Sequence, residues 1–187
     1  MLDVSQPEAL LGSALAAVEK GDGFRAEIDK IRAPVYLADA DGWITYWNQA
    51  CADFAGREPQ SGEDRWCVTW KLFTIEGDPL PHKDCPMAIS IREQRSIRTE
   101  IAIAERPDGS RVAFRPYPTP LFDSSGELKG AINLLVDVSD EQSVALKDQA
   151  ARCRRLANST DDLAARDILR SMAAGYDRSA VSLRHDS

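Results

Sequence analysis

Apolar residues recur along the chain with helical spacing at both ends and with strand spacing in the middle. In residues 1–32, leucines including Leu11 and Leu15 fall on one helical face. In residues 33–138, apolar and polar positions alternate as in strands, and short helical segments lie between them. Residues 139–187 are again helical in pattern. The pattern therefore predicts an α+β domain that carries a helical arm at each end.

A β-hairpin followed by a helix is predicted at the start of the central zone. Residues 35–47 contain two runs of apolar and aromatic side chains. Asp41 and Gly42 lie between these runs, and an Asp-Gly pair adopts turn conformations at little cost. Asn48 follows the second run and is a good helix N-cap, so a helix is expected over residues 49–54.

A loop, a second helix and three more strands are expected after this helix. Short helical turns or an extended loop are predicted at 57–81, the helix at 81–94, and the strands at 97–104, 111–116 and 128–138. Prolines after the second of these strands predict an irregular exit. The last strand is apolar on both faces except at Asn133, so both faces should be covered. One cover should be the domain's own helices, and the other is the N-terminal arm or a second subunit.

The C-terminal zone predicts two helices and a dimer interface. Ser139 opens a capping-box pattern at the start of the first helix. Apolar residues of this helix keep the spacing of a short coiled-coil seam. Residues 159–162 then predict a stop and a new N-cap. The residues predicted to form the dimer interface are Leu11, Leu15, Leu146, Ala150 and Cys153.

Composition and charge narrow the range of partners. The chain has 187 residues, of which 43% are hydrophobic and 28% are charged, as in globular proteins. The formal charge of −7 argues against general affinity for nucleic acid or an anionic membrane. The longest nearly apolar stretch, residues 9–18, has about half of the ~20 residues that span a bilayer. We therefore expect a cytoplasmic protein with neither nucleic acid nor membrane as a partner.

The order of these elements resembles the PAS domain, a sensor module common in bacterial signalling proteins. The segments that carry the resemblance are residues 40–48, 107–110 and 130–139. Residues 66–88 look like a proteobacterial PAS subgroup often found in front of histidine kinases. The resemblance covers about residues 30–140. It implies a five-stranded antiparallel sheet with short helices on one face, enclosing a small cavity.

The resemblance implies a non-catalytic sensor. PAS domains commonly detect a small molecule, redox state or light, and they relay the change through flanking helices, often as dimers. The tripeptide Asp137-Val138-Ser139 is close to the Asp-Ile-Thr that leads many PAS domains into their signalling helix, so these residues are the expected relay. No kinase core or DNA-binding helix pair is recognisable, so a homodimer should act in trans on a histidine kinase or a transcription regulator. The alternative is a ligand-free dimerisation or adaptor protein that docks such a partner.

Six residues are candidates for binding a small molecule, although each also has a structural interpretation. Asn133 would contact a ligand if it faces the cavity, or the arm or a dimer mate if it faces the other way. His82 and Cys85 have the spacing of metal ligands, but a metal site would need two further ligands. The candidate ligand-binding residues are Asn133, Trp70, Phe114, Arg115, His82 and Met87.

The sequence leaves the cofactor unknown and disfavours haem and flavin. His82 lies at or before the start of the helix on which some PAS domains carry a haem-binding histidine. The Asn-Cys-Arg-Phe-Leu-Gln signature of photosensory flavin PAS domains is absent, and Cys51 lies in the wrong helix for that chemistry. Cys51 and Cys67 are expected to be small core residues. No catalytic triad or phosphate loop is recognisable, so no enzyme activity is expected.

Overall fold

The computed structural model describes residues 6–21 and 23–183. The helices are α1 (Pro7–Glu19), α2 (Phe24–Ile28), α3 (Gln49–Ala55), α4 (Pro86–Glu93), α5 (Ser139–Ser159) and α6 (Leu163–Ser182). A 3-10 turn covers His82–Asp84. The strands are β1 (Val35–Asp39), β2 (Ile44–Trp47), β3 (Lys71–Phe73), β4 (Ala102–Glu105), β5 (Arg111–Pro116), β6 (Thr119–Phe122) and β7 (Leu128–Asp137).

The strands form one sheet in the order β2-β1-β7-β5-β4-β3, and β6 also pairs with β7. The ten-residue strand β7 is central, because it pairs antiparallel with β1, β5 and β6. The predicted α+β fold, a PAS-like antiparallel sheet with flanking helices, is therefore confirmed.

The predicted number of five strands is wrong, because β3 and β6 are additional. β6 follows β5 along the same edge of β7. The two strands are separated at Tyr117, whose backbone N–H donates to the Leu134 carbonyl at 2.8 Å. The prolines here, Pro118 and Pro120, lack backbone donors, so the sequence suggests an irregular exit although the chain continues as a strand.

Two predicted elements are shorter in the structure than in the sequence pattern. The helix expected over 81–94 begins at Pro86, because the residue before a proline is pushed out of the helical region. Cys85 is accordingly extended, with φ −72° and ψ 161°. The strand expected over 97–104 forms only as β4, and the Ile97 N–H donates instead to the Pro118 carbonyl.

The chain forms two compact units. The sheet unit contains the chain up to Gly109 together with Phe114–Asp137, and the hairpin unit contains Ser110–Ala113 and the chain from Val138 onwards. Strand β5 therefore passes from one unit into the other between Ala113 and Phe114, whereas β7 ends at Asp137, the last residue of the sheet unit. Within the described part of the chain, no helix combines the length and the apolar character needed to cross a bilayer.

The N-terminal arm packs on the chain's own sheet. Leu10 and Leu11 of α1 are 3% and 2% exposed and share a core with Ile132 and Leu134 of β7. Burying a leucine side chain stabilises a fold by roughly 1.5–3 kcal/mol. The arm therefore covers one face of β7 within a single chain, which is one of the two alternatives that the sequence leaves open.

Asn48 joins the arm, the first strand and helix α3. Its side-chain oxygen accepts from the backbone N–H groups of Val35 (3.0 Å) and Cys51 (3.2 Å), and the second bond caps α3 as predicted. Its amide nitrogen lies 3.0 Å from the Ile31 carbonyl and 2.9 Å from the Ala33 carbonyl. The predicted N-cap is confirmed, and the same amide also anchors the segment before β1.

The hairpin unit is built from α5 and α6, which pack against each other. Ala150 and Cys153 of α5 are buried with Ala173 of α6. The Ser143 hydroxyl donates to the Ala180 carbonyl at 3.2 Å. Asp162 caps α6, as the sequence predicts, by accepting from two backbone N–H groups.

Candidate functional site

The candidate ligand residues fall into separate places rather than one pocket. Asn133, Phe114 and Met87 are 1%, 2% and 1% exposed and lie in the interior of the sheet unit. Trp70 is 45% exposed and lies with His82 at the edge of the sheet. The structure thus divides five of the six candidates into an interior group and an edge group, and Arg115 belongs to neither.

The interior group is arranged around the amide of Asn133, which faces away from the arm. Asn133 pairs with Tyr36 in the ladder between β7 and β1, whereas its neighbours Ile132 and Leu134 pack with α1. Successive side chains of a strand point to opposite faces, so Asn133 lies on the face opposite the arm. The alternation alone does not say which face is inward, and the packing of α1 decides it.

Every polar group of the Asn133 side chain has a protein partner. Its amide nitrogen donates to the Tyr36 hydroxyl at 3.0 Å, and its oxygen accepts from the Tyr117 N–H at 2.9 Å. The Tyr36 hydroxyl donates in turn to the Trp66 carbonyl at 3.0 Å. This set of groups is named the interior network. Because the network is satisfied internally, Asn133 has a structural role that requires no ligand.

Three buried thiols surround the interior network. Cys51, Cys67 and Cys85 are 0%, 3% and 2% exposed, which confirms that Cys51 and Cys67 are core residues. The Cys67 sulfur lies 3.2 Å from the Thr69 hydroxyl. Burial raises the pKa of all three thiols, to about 12 for Cys85, so they are neutral rather than nucleophilic. Burial also raises the pKa of Tyr36, which keeps its hydroxyl protonated as a donor.

Trp66 is an aromatic residue that the sequence allows as a pocket wall or as ordinary core, and the structure joins its backbone to the interior network. Its backbone has a φ of +71°, and its carbonyl is the last acceptor of the interior network. Its ring lies against Gly42, where an added Cβ would come within 2.1 Å of a ring carbon. The Arg65 guanidinium lies over the rings of both Trp66 and Trp43, at 4.6 and 5.1 Å. The sequence signal for this contact is the Asp-Gly turn, which supplies a residue without a side chain.

The other two interior candidates, Phe114 and Met87, are packing residues. Phe114 makes an edge-to-face contact with Phe54, with ring centroids 5.4 Å apart. Met87 lies on the buried side of α4. Arg115 is half-buried and lies opposite Val136 in the ladder between β5 and β7.

The edge group lines a groove of about 400 Å³ beside β3. This edge groove is lined by Trp70, Lys71, Leu72, Phe73, Pro79, Leu80, Pro81 and His82. The Lys71 ammonium lies 4.1 Å from the centre of the Trp70 ring and 3.2 Å from a Glu105 carboxylate oxygen. The groove is thus mostly apolar, and the charge of its one lysine is offset by a neighbouring acid.

His82, which lines the edge groove, has a buried and unsatisfied ring nitrogen. Its Nε2 is buried and has no hydrogen-bond partner among residues 6–21 and 23–183. Burial lowers the pKa of His82, the Asp64 carboxylate opposes that shift, and the Arg57 guanidinium adds to it. The imidazole is therefore neutral at pH 7. The described residues form no group of three or more His, Cys, Asp and Glu side chains that could hold a metal ion.

The predicted relay residues lie where β7 passes into α5. Asp137 ends β7, Val138 is the N-cap of α5, and Ser139 is the first helical residue. The predicted capping box at Ser139 is wrong, because the Ser139 hydroxyl accepts from the Ala113 N–H at 3.0 Å instead. The Val138 N–H also donates to the Ala113 carbonyl at 2.9 Å, so the start of α5 is held by the first half of β5.

The residues predicted to form a dimer interface have contacts within the single chain. Leu11 of α1 is buried against the sheet, and Leu15 packs against the same core. Ala150 and Cys153 face α6, and Leu146 is half-buried. Their role in dimerisation stays a prediction, and a partner would reach Leu11 only after displacement of α1.

Solved structures similar to this chain are PAS and LOV domains. A LOV protein of Rhodobacter sphaeroides is 14% identical, with a TM-score of 0.47, and the alignment covers 90% of this chain and 94% of that one. The LOV domain of the blue-light activated histidine kinase EL346 of Erythrobacter litoralis is 18% identical, with a TM-score of 0.43 and coverage of 58% and 98%. The PAS domain of Bordetella pertussis BvgS is 20% identical, with a TM-score of 0.39 and coverage of 61% and 81%.

A comparison with curated proteins finds no match. The family described as the PAS fold matches residues 28–143, which is more than half of the chain and includes the sheet, the interior network and the start of α5. The chain therefore belongs to the PAS fold family.

Proposed function

We propose that this chain is a non-catalytic cytoplasmic sensor that binds a small molecule and relays its state through the flanking helices to a partner in trans. The observation that carries the proposal is the passage from β7 into α5, which takes place at Val138 without a loop. Asp137, Val138 and Ser139 are its relay. A strand at the centre of the sheet therefore continues directly into a long helix.

The backbone around the relay supports a mechanical connection. The Ser139 hydroxyl and the Val138 N–H both bond the backbone of Ala113, which lies in β5. The chain leaves the sheet unit at Asp137 and continues into α5, and β5 reaches α5 through the hydrogen bonds at Ala113, so a rearrangement of the sheet has one covalent and one hydrogen-bonded route to α5. A ligand shifts such an equilibrium only if it binds one arrangement better than the other.

The surface of the hairpin unit favours a protein partner. Six large apolar side chains on α5 and α6 are 44–69% exposed. They are Val144, Leu156, Leu163, Ile168, Met172 and Val181. Where such side chains form a contiguous patch, they mark an interaction surface. We propose that the hairpin forms a homodimer and docks a histidine kinase or a transcription regulator.

The test combines native mass spectrometry with hydrogen exchange of the full chain. Protein as purified should carry a small-molecule mass, and removal of that molecule by unfolding and refolding should change the exchange rates of amides in α5. Ser139→Ala should abolish the change, because it removes the bond to Ala113. Ser143→Ala is the matched control, since that hydroxyl bonds Ala180 within the hairpin. If α5 responds in the same way in the Ser139 variant, this residue is not a relay.

A second candidate is a ligand-free dimerisation or adaptor protein. The observation that favours it is the interior network, in which Tyr36 and Tyr117 each supply a partner for one end of the Asn133 amide. An interior that is satisfied by its own side chains needs no ligand to fold. A dimer that carries no added mass, and whose α5 exchange is the same before and after refolding, would favour this second function.

A further inference from the structure

We propose that the edge groove binds an uncharged, planar molecule that carries one hydroxyl or carbonyl group. The ring system would lie on Trp70 and the apolar walls, and the polar group would bond His82 Nε2. This inference deepens the proposed function, because it names a site and a ligand class for the sensor.

The shape of the groove suits a small molecule rather than a peptide strand. The free edge of β3 is already covered, because the Leu80 N–H donates to the Leu72 carbonyl and the Thr74 N–H donates to the Asp78 carbonyl, both at 2.8 Å. Pro79 lies between these bonds and has no N–H to offer a further strand. A volume of about 400 Å³ lies in the range of small-molecule pockets.

The polar requirement of the ligand comes from His82. A buried polar atom without a partner is energetically costly, and a ligand that supplies the missing bond removes that cost. His82 Nε2 is such an atom, and His82 lines the groove. Either tautomer of a neutral imidazole can pair with a hydroxyl, which both donates and accepts.

The charges around the groove select an uncharged ligand. Lys71 is paired with Glu105 at 3.2 Å, so its charge is offset. Burial lowers the pKa of His82, so the imidazole adds no charge. A carboxylate that entered the groove would lose its hydration, and no unpaired positive charge in the groove lining would compensate for that loss. The exposed face of Trp70 and the neighbouring prolines favour a flat ring system instead.

The test uses 2-naphthol as the probe and solution NMR of the full ¹⁵N-labelled chain. Naphthalene is the control without the hydroxyl, and 2-naphthoate is the charged control. We expect 2-naphthol to shift the Trp70 indole signal and the His82 ring signals. Naphthalene should bind about fivefold to tenfold more weakly, because it leaves Nε2 unpaired. 2-Naphthoate should also bind more weakly than 2-naphthol.

Two variants and one control locate the site. Trp70→Ala should weaken 2-naphthol binding at least fivefold. His82→Phe should make 2-naphthol and naphthalene bind equally, since the polar atom is gone and the ring volume is kept. Trp43→Ala should leave binding unchanged, because Trp43 is similarly exposed, at 38%, but lies outside the groove.

The outcomes separate this proposal from the proposed function. Equal binding of 2-naphthol and naphthalene to the unmodified chain, or shifts at the Asn133 amide without shifts at Trp70, would overturn the edge groove as the site. The sensor would survive the second result, because the ligand would then occupy the interior. Selective binding in the groove with no change in α5 exchange would support the site and contradict the relay.

Discussion

The interior network and the edge groove contain polar residues from the same set of sequence candidates, but they differ in how those residues are satisfied. Asn133 has partners for both ends of its amide, whereas His82 Nε2 has none within the described part of the chain. Asn133 is 1% exposed and Trp70, the neighbour of His82 in the groove, is 45% exposed. The residue that looks most ligand-like in the sequence thus has the stronger structural role.

The comparison teaches that a buried polar residue is informative through its partners, not through its burial. A satisfied amide fixes the packing of the strands around it, and its removal should damage the fold. An unsatisfied ring nitrogen contributes nothing to the fold, and its removal should leave stability intact or improve it. Stability measurements on the two residues should therefore differ in sign as well as in size.

The largest effect is expected for Asn133→Ala. The substitution removes two buried hydrogen bonds and leaves a cavity between β7 and β1. The free energy of unfolding should fall by about 3 kcal/mol. Urea unfolding followed by circular dichroism measures the change. A loss below about 1 kcal/mol would contradict a structural role for Asn133.

A double-mutant cycle with Tyr36→Phe is the control for this prediction. Tyr36→Phe removes only the hydroxyl that accepts from Asn133 and donates to the Trp66 carbonyl. The sum of the two single-variant losses in unfolding free energy should exceed the loss of the double variant, because both substitutions break the same network. Additive losses would mean that the two residues act independently.

The next effect is expected for Gly42→Ala, which tests how Trp66 completes the interior. A Cβ at Gly42, where φ is +87°, would come 2.1 Å from the Trp66 ring. The strain and the displaced ring should together cost about 2 kcal/mol or more. Gly109→Ala is the matched control, since its φ is +86° and an added Cβ meets no atom within 4 Å. Equal losses of stability in the two variants would show that the contact with Trp66 does not contribute to the effect of Gly42→Ala.

A smaller effect, of the opposite sign, is expected for His82→Phe. The phenyl ring keeps the approximate shape of the imidazole and removes the unpaired Nε2. The free energy of unfolding should stay the same or rise by up to about 1 kcal/mol. The same urea titration measures it. A loss as large as that of Asn133→Ala would mean that His82 Nε2 is needed by the fold, and the contrast between the two regions would fail.

The sequence predicts best the elements whose signals are local. The turn at Asp41-Gly42 and the cap at Asn48 depend on residues within a few positions, and both form as expected. The apolar run of β7 also predicts its own strand and its two covered faces. These signals are enough to recognise the PAS fold.

The sequence predicts poorly whatever depends on distant pairing. Asn133 lies on a strand that is apolar on both faces, so alternation cannot decide its direction until α1 is placed. Ser139 satisfies a local capping rule, but Ala113 takes its hydroxyl. His82 and Trp70 form one groove because the chain turns back beside β3, a strand too short to leave a clear pattern.

The smallest effect is expected in the pH dependence of stability, and it also separates the two regions. Burial lowers the pKa of His82 in the folded chain below its ordinary value of about 6.5, while Asp64 raises it and Arg57 lowers it. As the pH falls through that ordinary value, the unfolded chain takes up a proton that the folded chain resists, so stability falls. His82→Phe lacks this proton site, so the variant should become more stable relative to the unmodified chain as the pH is lowered from 7.5 to 5.5.

Asn133→Ala is the control for this trend, because it removes no titrating group and its stability relative to the unmodified chain should not change with pH. Urea unfolding of the three proteins at both pH values measures the difference, and a pH-independent gap between the His82 variant and the unmodified chain would show that His82 titrates normally in the groove.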